Sequence, residues 1–317
     1  MRCAILDDYQ NVALKMADWS SIAGAVDVKV FDQWIPPGDV PHALQDFEII
    51  CAMRERTRFP RQVLEALPKL RLLITSGMRN AAIDVKAANE HGITVCGTAG
   101  SGNPTAGIAI GLMLELTRHI GYENARLKSG AQWQTTTGVD LEGKTLGIVG
   151  LGRLGTKVAR IAHAFGMNVI AWSQNLTPEK CREAGVTYAA KDQLFRKADF
   201  ISIHVLLSER SRGLIGASDL ALMKPTAYLV NTARAQIIDQ PALLKALTER
   251  RIAGAGLDVF ETEPLPLDHP LRTLDNVVLT PHLGYVSVQA YEVYFREMVD
   301  DIRAFMDGKP VRVIPPA

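Results

Sequence analysis

The chain has 317 residues, 47% hydrophobic and 22% charged, with 35 basic against 34 acidic residues for a net charge of +1. A composition of this kind supports a sizeable globular core, and the length corresponds to about two domains. The charge balance argues against nucleic acid or an anionic membrane as a partner. No apolar run approaches the roughly 20 residues of a membrane helix, since the best, Ala106 to Leu114, ends at Glu115.

The N-terminus is charged too early, at Arg2, Asp7 and Asp8, for a signal peptide. The cysteines, Cys3, Cys51, Cys96 and Cys181, are far apart and form no CxxC. They read as reduced, mostly buried thiols of a cytoplasmic protein, and none has a neighbouring His or Cys to suggest a metal site.

Apolar runs at 3–6, 26–31, 47–53, 70–76 and 93–98 read as strands with helical patterns between them. A long apolar helix follows, Pro104 to Ile120, whose hydrophobic residues cover more than one face. A second strand series runs through 146–150, 168–173, 186–189, 200–205, 227–232, 254–259 and 276–280. Such alternation implies parallel sheets covered by helices, here two doubly wound α/β domains. The last helix, near Val286 to Met306, and the strand-like Val311 to Ile314 have no partner in the second series. They are expected to return to the first domain. This divides the chain into 1–100 plus 286–317, a discontinuous substrate domain, and 101–285, a dinucleotide domain, with the ligand site expected in a cleft.

Gly150-Leu151-Gly152-Arg153-Leu154-Gly155 lies between the strand at 146–149 and a helix whose apolar positions are Leu154, Val158, Ile161, Ala162 and Phe165. In this context the first Gly makes a tight turn and the second lets a pyrophosphate approach. The third lets helix and strand pack closely. Further along, three residues follow strands at the carboxyl end, where α/β sheets bind ligands. Arg234 can clamp a carboxylate in bidentate fashion. Hydride transfer to a ketone requires a proton donor at its oxygen, a task suited to histidine as a residue type, and His282 stands at such a strand end. Glu263 can fix the tautomer of that imidazole.

His204 after a strand, Met223-Lys224-Pro225, Asn231-Thr232-Ala233-Arg234, Gly256 to Pro264 and Thr280-Pro281-His282-Leu283-Gly284, in that order after the glycines, resemble the D-isomer-specific 2-hydroxyacid dehydrogenase family. The resemblance runs from about residue 45 to the C-terminus. It implies a flavodoxin-like substrate domain and a Rossmann cofactor domain. The implied activity is NAD- or NADP-dependent interconversion of a 2-keto acid and a (R)-2-hydroxy acid, with Arg234, Glu263 and His282 catalytic. The cofactor would meet the glycine turn, Ser173, Thr105, His204, Thr232, Ala233 and Asp258; His204 is not the proton donor. Backbone amides at Ser76 and Gly77 would hold the substrate carboxylate. Independently of the resemblance, Arg54 sits at a strand end and is expected to face the cleft. The resembling family uses the 104–120 helix region for a two-fold interface, so a homodimer is expected. One branch of the family acts as a cofactor-sensing corepressor and retains the same Arg, Glu and His, but this chain lacks a long basic or Pro-rich tail. The formate dehydrogenase branch has a longer N-terminal extension.

Four positions depart from the family pattern. The strand at 168–172 ends in Ser173-Gln174-Asn175 where NAD enzymes usually place a carboxylate. Neither repulsion nor attraction of a 2′-phosphate is evident there, so weak discrimination between NADH and NADPH is expected, with Lys180 and Arg182 as further cations. Gly107 replaces the usual Glu and suggests close packing. Leu206 replaces a Pro, and Ala235 a Gly. Arg79 is an additional cation beside Ser76 and Gly77 that either favours an acidic substrate or faces solvent.

Overall fold

The computed structural model describes residues 1–100, 102 and 104–316, which form two compact units, Met1–Gly102 with Val286–Ala317, and Asn103–Tyr285. In the first, strands β1 (Arg2–Ile5), β2 (Asp27–Val30), β3 (Ile49–Ala52), β4 (Leu72–Thr75) and β5 (Thr94–Gly97) form a parallel sheet in the order β2-β1-β3-β4-β5. This is the flavodoxin-like order. Helices α1 (Val40–Leu44), α2 (Arg61–Glu65) and α3 (Val85–Glu90) make the crossovers. β3 and β4 are buried along their whole length, which is why they read as continuous apolar runs.

In the second unit, α4 (Thr105–Arg118) and α5 (Ile120–Lys128) precede β6 (Thr145–Val149), α6 (Arg153–Ala164), β7 (Asn168–Trp172), α7 (Pro178–Glu183) and β8 (Thr187–Tyr188). Then come α8 (Lys191–Lys197), β9 (Phe200–Ile203), α9 (Ala217–Leu220), β10 (Tyr228–Asn231), α10 (Gln240–Thr248), β11 (Gly254–Leu257) and β12 (Val277–Leu279). The seven strands are parallel, in the order β12-β11-β10-β9-β6-β7-β8. Strand order reverses between β6 and β9, which defines a crevice at their carboxyl ends.

The long apolar helix expected over 104–120 stops at Arg118. His119 adopts a left-handed φ of 51° and turns the chain into α5. α4 buries Ala109, Leu112, Met113 and Leu116 in the same core as Ile148 and Val230, whereas α5 buries none of its residues. α11 (Val288–Met306) belongs to the first unit, where Tyr291 bonds Gln10 and Arg303 bonds Ser21. The C-terminal segment runs along β5: Ile314 N–H donates to Val95, Gly97 N–H to Arg312, and Arg312 pairs with buried Asp301 at 2.9 Å. All four cysteines are buried and free. Among the described residues no helix is long and apolar enough to cross a membrane.

Candidate active site

β6 delivers the chain into the Gly150 to Gly155 turn. Gly150 has φ +104°, and a Cβ there would lie 2.7 Å from Val205. A Cβ on Gly155 would collide with the Gly150 carbonyl oxygen, so only glycine lets α6 seat against the turn. Gly152, the N-cap of α6, is exposed with open space at its Cβ position. Among the described residues no side chain caps α6 and no acid stands in its first turn. The first amides of the helix, beginning at Arg153, are therefore available to an anion. Leu154 is half-buried against the core on one face of the sheet. Beside the turn is a cavity of about 510 Å³, lined by Gly150, Gly152, Ser173, Lys180, His204 and Arg210 among others.

Two buried polar atoms, one on this cavity and one at the end of β10, support a bound molecule. His204 Nε2 bonds Ser202 Oγ at 2.8 Å, but its Nδ1 is shielded and has no hydrogen-bond partner among the described residues. Burial pushes this imidazole down to about 4, so the ring is neutral at physiological pH and cannot act as an acid there. The Thr232 hydroxyl, just past β10, is likewise buried without a partner. Such atoms are rare unless a ligand or water satisfies them. A glycine turn, an uncapped helix start and orphaned polar atoms at the ends of β9 and β10 fit a dinucleotide.

Arg234, Glu263 and His282 follow β10, β11 and β12. His282 Nδ1 lies 2.7 Å from Glu263 Oε2, and Glu263 Oε1 accepts the Phe260 N–H at 2.9 Å. Burial alone would raise the Glu263 carboxyl. The hydrogen bond and charge of His282, the Phe260 amide and the Arg234 charge outweigh it and hold the group below the usual range. With Nδ1 occupied, Nε2 is the ring nitrogen left for chemistry. The Tyr285 ring packs edge-on against the imidazole, 5.5 Å between centroids. Arg234 is half-buried, and its backbone carbonyl accepts from the Asn231 amide at 2.9 Å. Ala233, whose N–H donates to the Asn231 side chain at 3.0 Å, packs against the core.

Two residues expected against the cofactor are hydrogen-bonded to the His282 loop in this structure. Asp258 is fully buried, and its carboxylate accepts from Thr280 Oγ1 (2.6 Å), Leu283 N–H (2.7 Å) and Gly284 N–H (2.8 Å). Thr105 Oγ1 donates to the Gly284 carbonyl at 2.7 Å. Both side chains bracket the loop that carries His282, which holds a left-handed φ of 54°. Burial raises the Asp258 carboxyl despite these donors.

In the first unit, the amides expected to bind a carboxylate are already used. Ser76 N–H donates to Ala52, and Gly77 N–H to Thr98 Oγ1 at 2.9 Å. Arg54, from the segment after β3, reaches this loop, its guanidinium donating to the Ser76 carbonyl at 3.0 Å. An anion at Gly77 must displace the Thr98 hydroxyl. Arg79 is exposed. A Cβ on Gly107 would meet no atom within 4 Å, so close packing does not account for that glycine. Arg182 pairs with Glu179 at 3.1 Å and is absent from the cavity lining. Arg210, which sequence reasoning missed, does line it; only the position of β9 beside β6 reveals this. Among the described residues no group of three or more His, Cys, Asp or Glu is placed to hold a metal.

The family model for the D-isomer specific 2-hydroxyacid dehydrogenase NAD-binding domain matches residues 110–284. The chain is 40% identical over 262 residues to a glyoxylate reductase of Korarchaeum cryptofilum, covering 80% of this chain and 77% of that protein. It is 39% identical over 264 residues to a D-3-phosphoglycerate dehydrogenase of Methanocaldococcus jannaschii, covering 82% of this chain but spanning only half the length of that relative. A crystal structure of a phosphoglycerate oxidoreductase from Vibrio cholerae superposes with a TM-score of 0.92 at 36% identity, covering 97% of this chain and 99% of the other.

Proposed function

The chain belongs to the D-isomer specific 2-hydroxyacid dehydrogenase family, and on that premise we propose that its His282, Glu263 and Arg234 carry out NAD(P)-dependent interconversion of a small 2-keto acid and its (R)-2-hydroxy acid. The observation that carries this reading is the 2.7 Å pair of His282 and Glu263 on a loop bracketed by Asp258 and Thr105.

The nicotinamide cofactor supplies or accepts the hydride at C2. His282 Nε2 gives its proton to the ketone oxygen in reduction and takes it back in oxidation. Glu263 holds the other ring nitrogen, fixing the tautomer and stabilising the imidazolium. Arg234 grips the substrate carboxylate, a task suited to a planar fork. Gly150, Gly152, Arg153, Leu154 and Gly155 receive the pyrophosphate. Ser173 takes the adenosine ribose, and His204, Thr232 and Ala233 line the remainder of the cofactor site. We assign the unit containing β1 to β5 to substrate, with Arg54 and the Ser76–Gly77 loop as its contacts. Asp258 and Thr105 act as positioning residues through the His282 loop.

The reductase relative directs attention to small keto acids. A screen of NADH and NADPH oxidation with glyoxylate, hydroxypyruvate, pyruvate and bulkier 2-keto acids tests the reading. Turnover with at least one of them is expected; none with any, in a preparation that binds dinucleotide, favours the cofactor-sensing alternative.

We place the protein in the cytoplasm, as a homodimer. The exposed Ile120, Tyr122 and Leu127 of α5, with Trp133 73% exposed just beyond, support a second copy as their cover. Light scattering at micromolar concentration is expected to give twice the 34.6 kDa chain mass, and a monomer mass refutes the dimer.

A further inference from the structure

The ribose end of the cavity is built from two loops remote in sequence. Ser173, Gln174 and Asn175 follow β7, and Arg210 comes from the segment after β9. The Gln174 side-chain amide reaches the Arg210 carbonyl at 3.4 Å, so the two loops meet. Lys180 of α7 lines the same cavity. Among the described residues no carboxylate lines it, and neither Arg210 nor Lys180 has an acidic partner within ion-pair distance.

Three features coincide there. The strand-end carboxylate that would repel a 2′-phosphate is absent. Ser173, Gln174 and Asn175 offer neutral donors. Two cationic residues from different elements line the same cavity. A phosphate dianion placed there gains charge-assisted hydrogen bonds, and the guanidinium can make two in parallel. A bare ribose hydroxyl gains far less from either cation.

We infer that Arg210, assisted by Lys180, recognises the 2′-phosphate of NADPH and makes it the preferred dinucleotide. This assignment rests on the reading above that the cavity holds a nicotinamide dinucleotide. It also accounts for the absence of an Arg at positions 174 and 175, since the cation arrives from the opposite side of β6. Arg210 is exposed and its side chain has no ion-pair partner among the described residues, so its replacement is expected to leave the unit folded.

Calorimetric titration of the full chain tests the assignment without turnover. The ligands are NADPH, NADH, adenosine 2′,5′-bisphosphate and 5′-AMP. The wild-type protein is expected to bind each 2′-phosphorylated ligand at least about tenfold more tightly than its counterpart, the scale of one hydrogen bond to a charged group. In Arg210→Gln that ratio falls toward one. In Lys180→Gln it falls by less, and Arg210→Lys retains part of it because the charge survives without the fork. Added salt reduces the wild-type ratio. A wild-type ratio at or below one, or a ratio unchanged in Arg210→Gln, overturns the assignment while leaving the dehydrogenase reading intact. Failure of both NADH and NADPH to bind removes the dinucleotide reading and this inference with it. Melting temperatures of the variants verify that each is folded.

Discussion

The two parallel sheets carry the same topological device and use it differently. In each, strand order reverses beside the first strand, between β1 and β3 in one unit and between β6 and β9 in the other. Around β6 the reversal leaves a cavity lined in part by Gly150 and Gly152, and buried polar atoms of His204 and Thr232 at nearby strand ends have no partner among the described residues. Just past β1 the protein's own side chains pair with one another. Asp7, 2% exposed, accepts from Thr57 Oγ1 at 2.8 Å and Tyr9 OH at 2.9 Å. The Arg56 guanidinium lies 4.7 Å over the Tyr9 ring and donates to the Asp7 carbonyl. Asp8 accepts the Val12 and Ala13 amides. Topology thus supplies a crevice in both sheets, and the side chains at the strand ends decide whether a ligand or the protein satisfies the polar groups.

Mutations in the two units are expected to fail in different ways. The largest effect is expected at His282. His282→Gln lowers kcat by about 10²–10⁴-fold, the usual range for loss of acid–base catalysis, while the melting temperature hardly moves. Near-wild-type kcat with a confirmed substrate removes the residue from the mechanism.

Asp7→Ala is the mirror experiment. It leaves Thr57 and Tyr9 without their acceptor and puts a β-carbon-only side chain at a φ of 60°. A stability loss of about 2–4 kcal/mol in urea denaturation is expected. Asp7→Asn, which keeps an acceptor and tolerates that φ, costs much less. The two also separate by pH. Burial raises the Asp7 carboxyl despite the hydrogen bonds of Thr57 and Tyr9 and the Arg56 charge. The folded protein then holds this proton to higher pH than the unfolded chain. The group's contribution is complete below the ordinary carboxylate value and declines as pH rises through the folded value. Asp7→Asn abolishes that slope; an unchanged slope excludes Asp7 as its source.

A smaller effect sharpens the catalytic side. Glu263→Gln replaces the carboxylate that His282 Nδ1 meets at 2.7 Å, so kcat is expected to fall, though by less than in His282→Gln, while the melting temperature hardly moves. An unchanged kcat separates the two residues. Smallest is Gly107→Ala. Because a Cβ there meets open space, the substitution stabilises α4 by about 1 kcal/mol, read as a higher melting temperature. A lower one shows that some other demand keeps the glycine.

The strand-end placement of the candidate residues was legible because its signals are local. An apolar run followed by Arg, Glu or His places that residue at a strand end whichever sheet the strand joins, and Gly150 to Gly155 states its own geometry. The glycine at 107 misled for the same reason: its position on a helix is local, but whether anything packs against it is not. Likewise Ser76 and Gly77 are correctly placed after β4, yet nothing near them in the chain announces that Thr98 takes the Gly77 amide.

The amino-acid sequence by itself determined the alternating strands and helices, the parallel sheets they imply, the glycine turn and the strand-end order of Arg234, Glu263 and His282. Each follows from periodicity or from conformational limits within a few residues. Tertiary structure alone decided which groups meet. Thr105 and Gly284 bond across 179 residues, Asp258 closes on a loop 22 to 26 residues away, and Arg210 and Lys180 line one cavity because the strands they follow, β9 and β7, both flank β6. Hydrogen bonds and ion pairs act over a few ångströms of space whatever the distance along the chain, so their partners exist only once strand order brings them together.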